Sequence, residues 1–525
     1  MVRAKAIECI SLVGLAVGKE KFAPDAHEVM VMMSQTQFKG DDPQTEYIVN
    51  AWPRICKCLG ADFVPYLEHV MPTLLESAAK KPDVQMQEAD KGEMEGMENL
   101  LIGDKMIGIR TSDMEEKKNA CMALARFVEH LQEHFYPYIE KTATIMLPLL
   151  KFYYHEDVRL AAAFSMPELV KCCLKHAEAN GGDLAISTQL TGVVYSSLVE
   201  CIPDEPQVDV QMAMLEALQE TVEAGAKVLS PDQAPAFLAS VPRIWEEIKE
   251  QQAEKQALMA ANEDCDEEEY AALQEQTKCF DEVHEWVGHC LGAFFKAHKG
   301  LFMPHFLQSG LPEPLLQMLT SEAEIHRKVG MWVWTDMVDN CADAAAQYAA
   351  QIVPPMLASA DMGQSAAVRT AAAYGLGVCA AKLGPAAAPF GAQIMSTLLG
   401  LLRHPEARVG DNEDATDNVV SALGKVCMHQ SVEGASAVLP EWLSYLPLKS
   451  DLEEAAQVHE QLCAFLERDA QGFLAPAGSA LQVASVLSLG LKEEQHANSE
   501  VEQRMQSCLE TLKQQIPPEQ LAQLA

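Results

Sequence analysis

The chain has 525 residues, 76 of them acidic and 39 basic, for a formal net charge of −37. Coating nucleic acid needs a basic surface that displaces counterions from phosphates, so direct nucleic-acid binding is excluded, while a strong negative field steers basic partners inward. Hydrophobic residues at 49% exclude whole-chain disorder, and aromatics at only 6% lean away from an all-β architecture.

The 15 cysteines are odd in number. Cys56/Cys58 and Cys172/Cys173 are the close pairs, and neither C-x-x-C nor N-x-S/T occurs. Both facts point to a reducing compartment. No apolar run reads as long enough to span a bilayer, so membrane insertion is not expected. Arg3 and Lys5 precede an apolar stretch at 9–17 that loosely resembles a signal peptide. Glu8 at its edge and the lack of a small-residue cleavage site favour an amphipathic helix instead.

In chain order, that helix carries the first of three matching stripes. VRAKAIECISLVGLAV places Val2, Ala6, Ile10, Val13 and Val17 at offsets 0, 4, 8, 11 and 15. VRLAAAFSMPELVKCC repeats the pattern with Val158, Ala162, Met166, Leu169 and Cys173, and VRTAAAYGLGVCAAKL with Val368, Ala372, Leu376, Cys379 and Leu383. Such steps trace one face of an α-helix. The stripes lie 156 and 210 residues apart, which fits four periods of 39 and five of 42. A helical period near 40 is that of HEAT repeats, antiparallel helix pairs that bury their apolar faces only by stacking. KTATIMLPLLKFYY from Lys141 and YAAQIVPPMLASA from Tyr348 supply first helices for the second and third stripes. The expected fold is all-α, an α-solenoid of about twelve HEAT repeats. The first stripe belongs to a second helix without its partner, so the chain reads as cut from a longer protein within a repeat.

The expected organisation is an orphan second helix at 1–19, HEAT repeats at 20–261 with a loop insertion near 80–111, an acidic insertion at 262–269, HEAT repeats at 270–469 and capping repeats at 470–525. The acidic insertion lies between helices starting near Pro231 and Leu273.

Several longer stretches carry a family resemblance. They are VRAKAIECISLVGLAVGKEKF, LLKFYYHEDVRLAAAFSMPELVKC around Arg159, RTAAAYGLGVCA from Arg369, ATDNVVSALGKV from Ala415 and LPEWLSYLPLKSDLEEA from Leu439. In this order they resemble the C-terminal half of karyopherin-β (importin-β) nuclear transport receptors of the importin-5 type. The resemblance weakens in the stretch from Lys80 and after about Asp469. It implies a right-handed superhelix with second helices lining the inner face. It also implies shuttling between cytoplasm and nucleus through the nuclear pore. Basic cargo would sit on the inner face and Phe-Gly nucleoporins on the outer, with Ran-GTP releasing cargo. The importin-5 type implies Lys-rich signals, ribosomal proteins and histones. The family's main Ran-GTP surface lies in N-terminal repeats outside this match. The alternative is another HEAT scaffold, such as a phosphatase regulatory subunit, a class with more uniform repeats.

Capture of lysine and arginine needs carboxylates and aromatic faces. MWVWTDMVDN offers Trp332, Asp336, Asp339 and Asn340, with Asp336 and Asn340 on one helical face. Trp332 and Trp334, two residues apart, are split across that helix, which puts part of the pair in the core. Asp414, Asp417 and Asn418 open a second such helix, and Glu453 and Glu454 a third. Glu263, Asp264, Asp266, Glu267, Glu268 and Glu269 form the acidic insertion, a candidate contact for a basic ligand or a competitor. Acids at helix starts also serve the helix dipole, and acidic runs also solvate helix ends. No catalytic residue, metal ligand or cofactor is expected. His130 and His134 fit H-x-x-E-H but lack a third ligand, and four His-Glu dyads stand too far apart in sequence to share a metal. Gly375, Gly377 and Ala380 fit G-x-G-x-x-A inside a helix, where close packing explains them.

Overall fold

Helix pairs account for nearly all of the chain in the computed structural model, which describes residues 2–34, 44–81, 84–88, 97–102, 105–261, 267–475 and 478–521. Two units emerge, Met1–Ala297 and His298–Ala525. In the first, α1 (Val2–Val17) precedes five pairs: α2 (Lys19–Ser34) with α3 (Gln44–Leu59), α4 (Leu67–Ala79) with α5 (Thr111–Leu131), α6 (Ile139–Leu149) with α7 (Glu156–Ala179), α8 (Ala185–Cys201) with α9 (Val208–Ala224), and α10 (Ala234–Ala261) with α11 (Glu267–His298). The second unit opens with the short α12 (Met303–Gln308) and α13 (Pro312–Met318) before α14 (Glu324–Asn340). Then come α15 (Ala342–Ala345) and α16 (Ala349–Ser359) before α17 (Ala366–Lys382), and α18 (Gly391–Leu402) with α19 (Asn412–His429). The pairs α20 (Ala435–Ser444) with α21 (Leu452–Phe473) and α22 (Ser479–Lys492) with α23 (Ser499–Lys513) follow, and α24 (Pro518–Leu521) ends the described chain. Within each unit the second helices stack on one another in sequence.

The pairs are fewer than the spacing suggests. Three repeats, not four, separate α1 from α7, and four, not five, separate α7 from α17. Two features lengthen the steps. The insertion between α4 and α5 is one, and the 28 and 32 residues of α10 and α11 are the other.

The insertion at 80–111, read from sequence as a loop, contains a three-stranded antiparallel sheet in the order β1-β3-β2. Its strands are β1 (Val84–Glu88), β2 (Met97–Ile102) and β3 (Lys105–Arg110), with Val84 opposite Ile109 and Met97 opposite Arg110. Glycine, methionine and glutamate break the period-two pattern that would announce these strands. The acidic insertion is also reassigned in part: α11 starts at Glu267 rather than near Leu273. Glu263, Asp264 and Asp266 lie outside the described residues.

Burial of the stripe depends on neighbours. Val158, Ala162, Met166, Leu169 and Cys173 on α7 are all buried, as are Val368, Ala372, Leu376, Cys379 and Leu383 on α17. On α1 the equivalent Val2, Val13 and Val17 are 87%, 52% and 40% exposed, while Ala4, Ile7, Ser11 and Gly14 turn inward. The same periodicity is therefore buried on α7 and α17 but largely exposed on α1.

The segment Gly384–Leu402 has the length and hydropathy of a membrane span. It breaks into two 3₁₀ turns and the 12-residue α18, whose Ile394, Leu398 and Leu402 are buried in its pair with α19. The stretch is the first half of a HEAT pair.

Small residues set a close seam between α17 and α19. A Cβ at Gly377 of α17 would lie 2.9 Å from both Cα and Cβ of Ala422 on α19. Gly377→Val should therefore force α17 and α19 apart, at a cost of about 1–3 kcal/mol or more. Chemical denaturation of the variant checks this, and an unchanged midpoint would contradict it.

Histidines held in the neutral form add a pH dependence. His459 on α21 is 2% exposed, and its Nδ1 lies 2.7 Å from the Gln495 carbonyl oxygen. Nδ1 therefore carries the proton, and the ring fills the space beside Gly490 of α22. Burial pulls the His459 pKa below its ordinary value, an effect opposed by the Gln495 carbonyl and aided by His496. His429, exposed at the end of α19, is lowered too, by partial desolvation of its ring and then by Lys382 and Arg468. Because the unfolded chain binds these protons more readily, their contribution is complete above about pH 6.5 and is lost as pH falls below it. His459→Asn should consequently cost less melting temperature at pH 5.5 than at pH 7.5. A deficit equal at both values would contradict this assignment.

Candidate functional site

One face of the second unit gathers second helices from four consecutive pairs around a groove of about 740 Å³. α14 contributes Trp332 and Asp339, and α17 contributes Thr370, Tyr374 and Lys382. α19 supplies Asn418, Lys425 and His429, and α21 supplies Glu453, Glu454, Gln457 and Glu460, with Asp451 at its N-terminus. Glu453, Gln457, Glu460 and Ala464 fall on one side of α21 because they are spaced four, three and four apart. Five carboxylates and two ammonium groups line the groove, an excess of three negative charges.

Tyr374 stands at the centre of this field. Burial and then the charges of Glu454, Asp339, Asp336 and Glu453 push its phenol well above the ordinary range. The Lys425 ammonium lies 3.3 Å from Glu454 and 5.2 Å from the Tyr374 ring centre. Lys382 pairs with Asp339 at 3.1 Å. Asp451 Oδ1 accepts the backbone N–H of Glu453 and of Glu454, capping α21, while its Oδ2 accepts from Asn418 Nδ2 at 2.8 Å. Glu453 is exposed in the groove lining, and its backbone N–H is held by the Asp451 cap.

The residues singled out from sequence divide by role. Trp332, Asp339, Asn418, Glu453 and Glu454 line the groove, and Asp336 adds its charge beside Tyr374. Trp334 is wholly buried, and the Lys328 ammonium covers the Trp332 ring at 5.0 Å. Asn340 Nδ2 donates to the Asp336 carbonyl, and Asp414 is exposed outside the groove lining. Asp417 is fully buried: it pairs with Arg408 and accepts the backbone N–H groups of Lys449, Ser450 and Asp451. Its role is to anchor the loop before α21, so its place among the contact candidates is corrected. Glu267, Glu268 and Glu269 open α11 in the first unit. Sequence reasoning missed Tyr374, Lys382, Lys425, Asp451, Gln457 and Glu460. The four-three-four spacing after Glu453 was the available signal for the last two.

The H-x-x-E-H pattern does not form one helical face. α5 ends at Leu131, Gln132 turns at φ 50, and His134 lies in the following 3₁₀ turn. Among the described residues, no group of three or more His, Cys, Asp or Glu side chains is placed to hold a metal ion.

Stacked helix pairs with second helices forming the groove define the HEAT-repeat class of α-solenoid. Residues 210–320 match the family model described as Importin repeat 6. The probable importin-5 homolog of Dictyostelium discoideum is 25% identical over 93% of this chain and 46% of its own length. Importin subunit beta-3 of Saccharomyces cerevisiae is 26% identical over 93% of this chain and 45% of its own. Kap121p solved bound to RanGTP superposes with a TM-score of 0.76 at 22% identity, covering 99% of this chain and 48% of that one. Kap121p has also been solved bound to Nup53p and to Pho4p. The chain is thus similar to importin-β-type transport receptors over nearly all of its length, and it spans about half the length of the curated relatives it matches.

Proposed function

We propose that this chain is the cargo-holding C-terminal half of an importin-5-type nuclear import receptor, capturing basic, Lys-rich segments in the groove of the second unit. The observation that carries the reading is the groove itself, where five carboxylates and the rings of Trp332 and Tyr374 line second helices. Carboxylates bind ammonium and guanidinium groups, and aromatic faces take their alkyl stems or the cation itself. Ribosomal proteins and histones are the cargo class suggested by the importin-5 resemblance and by the −37 charge. Ran-GTP and nucleoporins are the further partners, by analogy with Kap121p, which has been solved bound to RanGTP and to Nup53p. Shuttling between cytoplasm and nucleus through the pore follows from the same reading. The acidic stretch with Glu263, Asp264, Asp266, Glu267, Glu268 and Glu269 is proposed as a second contact for basic ligand. In the full-length receptor, release is linked to Ran-GTP.

Replacing Glu453 and Glu460 together by glutamine should weaken binding of a Lys-rich peptide about tenfold at low salt, by removing two rim charges near the cation. Titration by fluorescence anisotropy reads this out. Equal affinity of variant and wild type would remove the groove from cargo capture.

A further inference from the structure

Two thiols meet across the seam between α21 and α23. Arg504 of α23 sets the register: its Nε and Nη2 donate to Glu467 at 3.1 and 2.9 Å, and its Nη1 donates to Glu460 at 3.4 Å. Cys463 of α21 stands one turn from each of those carboxylates, and Cys508 lies one turn beyond Arg504. The Arg504 bridges to Glu460 and Glu467 thus place the two cysteines on facing sides of the seam, where each influences the other's titration. Cys463 is buried and Cys508 is half-buried, so one sulfur can be reached from solvent and the other waits behind it.

We propose that Cys508 and Cys463 form a peroxide-sensitive dithiol that closes into a reversible disulfide between α21 and α23. Cys508 is the attacking thiol and Cys463 the resolving one. The Cys508 thiolate attacks one oxygen of hydrogen peroxide; an S–O bond forms, the O–O bond breaks, and hydroxide leaves and is protonated to water. The sulfur is oxidised to a sulfenic acid while the peroxide is reduced. Cys463 then gives up its proton and attacks that sulfur, forming the S–S bond and expelling the second water. The sum is two thiols and one peroxide giving one disulfide and two waters, and a small dithiol reductant reverses it by exchange.

The electrostatics favour this order of events. The Cys463 thiol, donating to Cys508, lowers the Cys508 pKa, and the Arg504 charge helps, against burial and the Glu467 charge. At Cys379 burial acts alone, and the thiol is pushed up to about 12. At Cys121 burial likewise pushes the thiol up to about 12, with Lys117 opposing.

The test treats the reduced full chain with hydrogen peroxide, with and without dimedone, and maps cysteines by non-reducing peptide mass spectrometry. The expected wild-type product is a linked peptide pair containing Cys463 and Cys508, separated again by dithiothreitol. Cys463→Ser should instead carry a dimedone adduct on Cys508, and Cys508→Ser should give no linked pair while melting like wild type. Oxidation that falls first on the exposed Cys9 and leaves Cys463 and Cys508 unlinked would overturn the proposal, as would a linked pair that persists in Cys508→Ser through another thiol.

Discussion

Arg159→Met should destabilise the first unit by about 3–5 kcal/mol, because it strands a carboxylate in the core. Arg159 Nε and Nη2 each donate to Glu205 at 2.9 Å, and Nη1 donates to the Phe152 carbonyl at 3.1 Å. The two side chains are 3% and 1% exposed, so solvent cannot replace the lost guanidinium. Glu205 would keep only the Gln207 backbone N–H as a donor. The pair joins the start of α7 to the turn between α8 and α9, so hydrogen exchange along these segments should rise with the drop in melting temperature. The companion Arg159→Met/Glu205→Leu should recover most of the loss, since two apolar side chains of similar volume need no partner charge. A double variant as unstable as the single one would show that packing, not the stranded charge, dominates.

Asp417→Ala should have an effect of similar size in the second unit. Its Oδ2 accepts three successive backbone N–H groups, from Lys449, Ser450 and Asp451, at 3.1, 2.8 and 3.1 Å. Its Oδ1 pairs with Arg408. Removing the carboxylate leaves three donors and a guanidinium without their acceptor, at a cost on the order of 3–5 kcal/mol. The loss would reach the groove, because the same loop ends in Asp451, which caps α21 beneath Glu453 and Glu454. Amide exchange at 449–451 measures this directly. Protection unchanged from wild type would contradict the anchoring role.

Much of the fold was legible because HEAT helices bury a stripe of constant spacing. The stripes at Val158 and Val368 are the cores of α7 and α17. On α1 the same letters face solvent, because burial is a property of neighbours that periodicity cannot encode. The strands at 84–110 stayed hidden behind glycine, methionine and glutamate, and their presence stretches one repeat, so the count from mean spacing was too high. In the groove, Glu453 and Glu454 were visible as acids at a helix start. Tyr374 and Lys425 were not, since an aromatic and a lysine inside helical stripes look the same in core and groove. Asp417 was misassigned because its partners at 449–451 lie more than 30 residues away, on a loop whose path no local pattern announces.

The proposed capture of basic segments is electrostatic and takes place in the groove of the second unit. The direct measurement is an anisotropy titration of a Lys-rich peptide against the chain at two salt concentrations, beside a Glu453→Lys/Gln457→Lys variant. Binding should weaken with salt and be lost in the variant. Failure of the peptide to bind at low salt, or binding indifferent to the reversed charge at 453 and the added positive charge at 457, would contradict it.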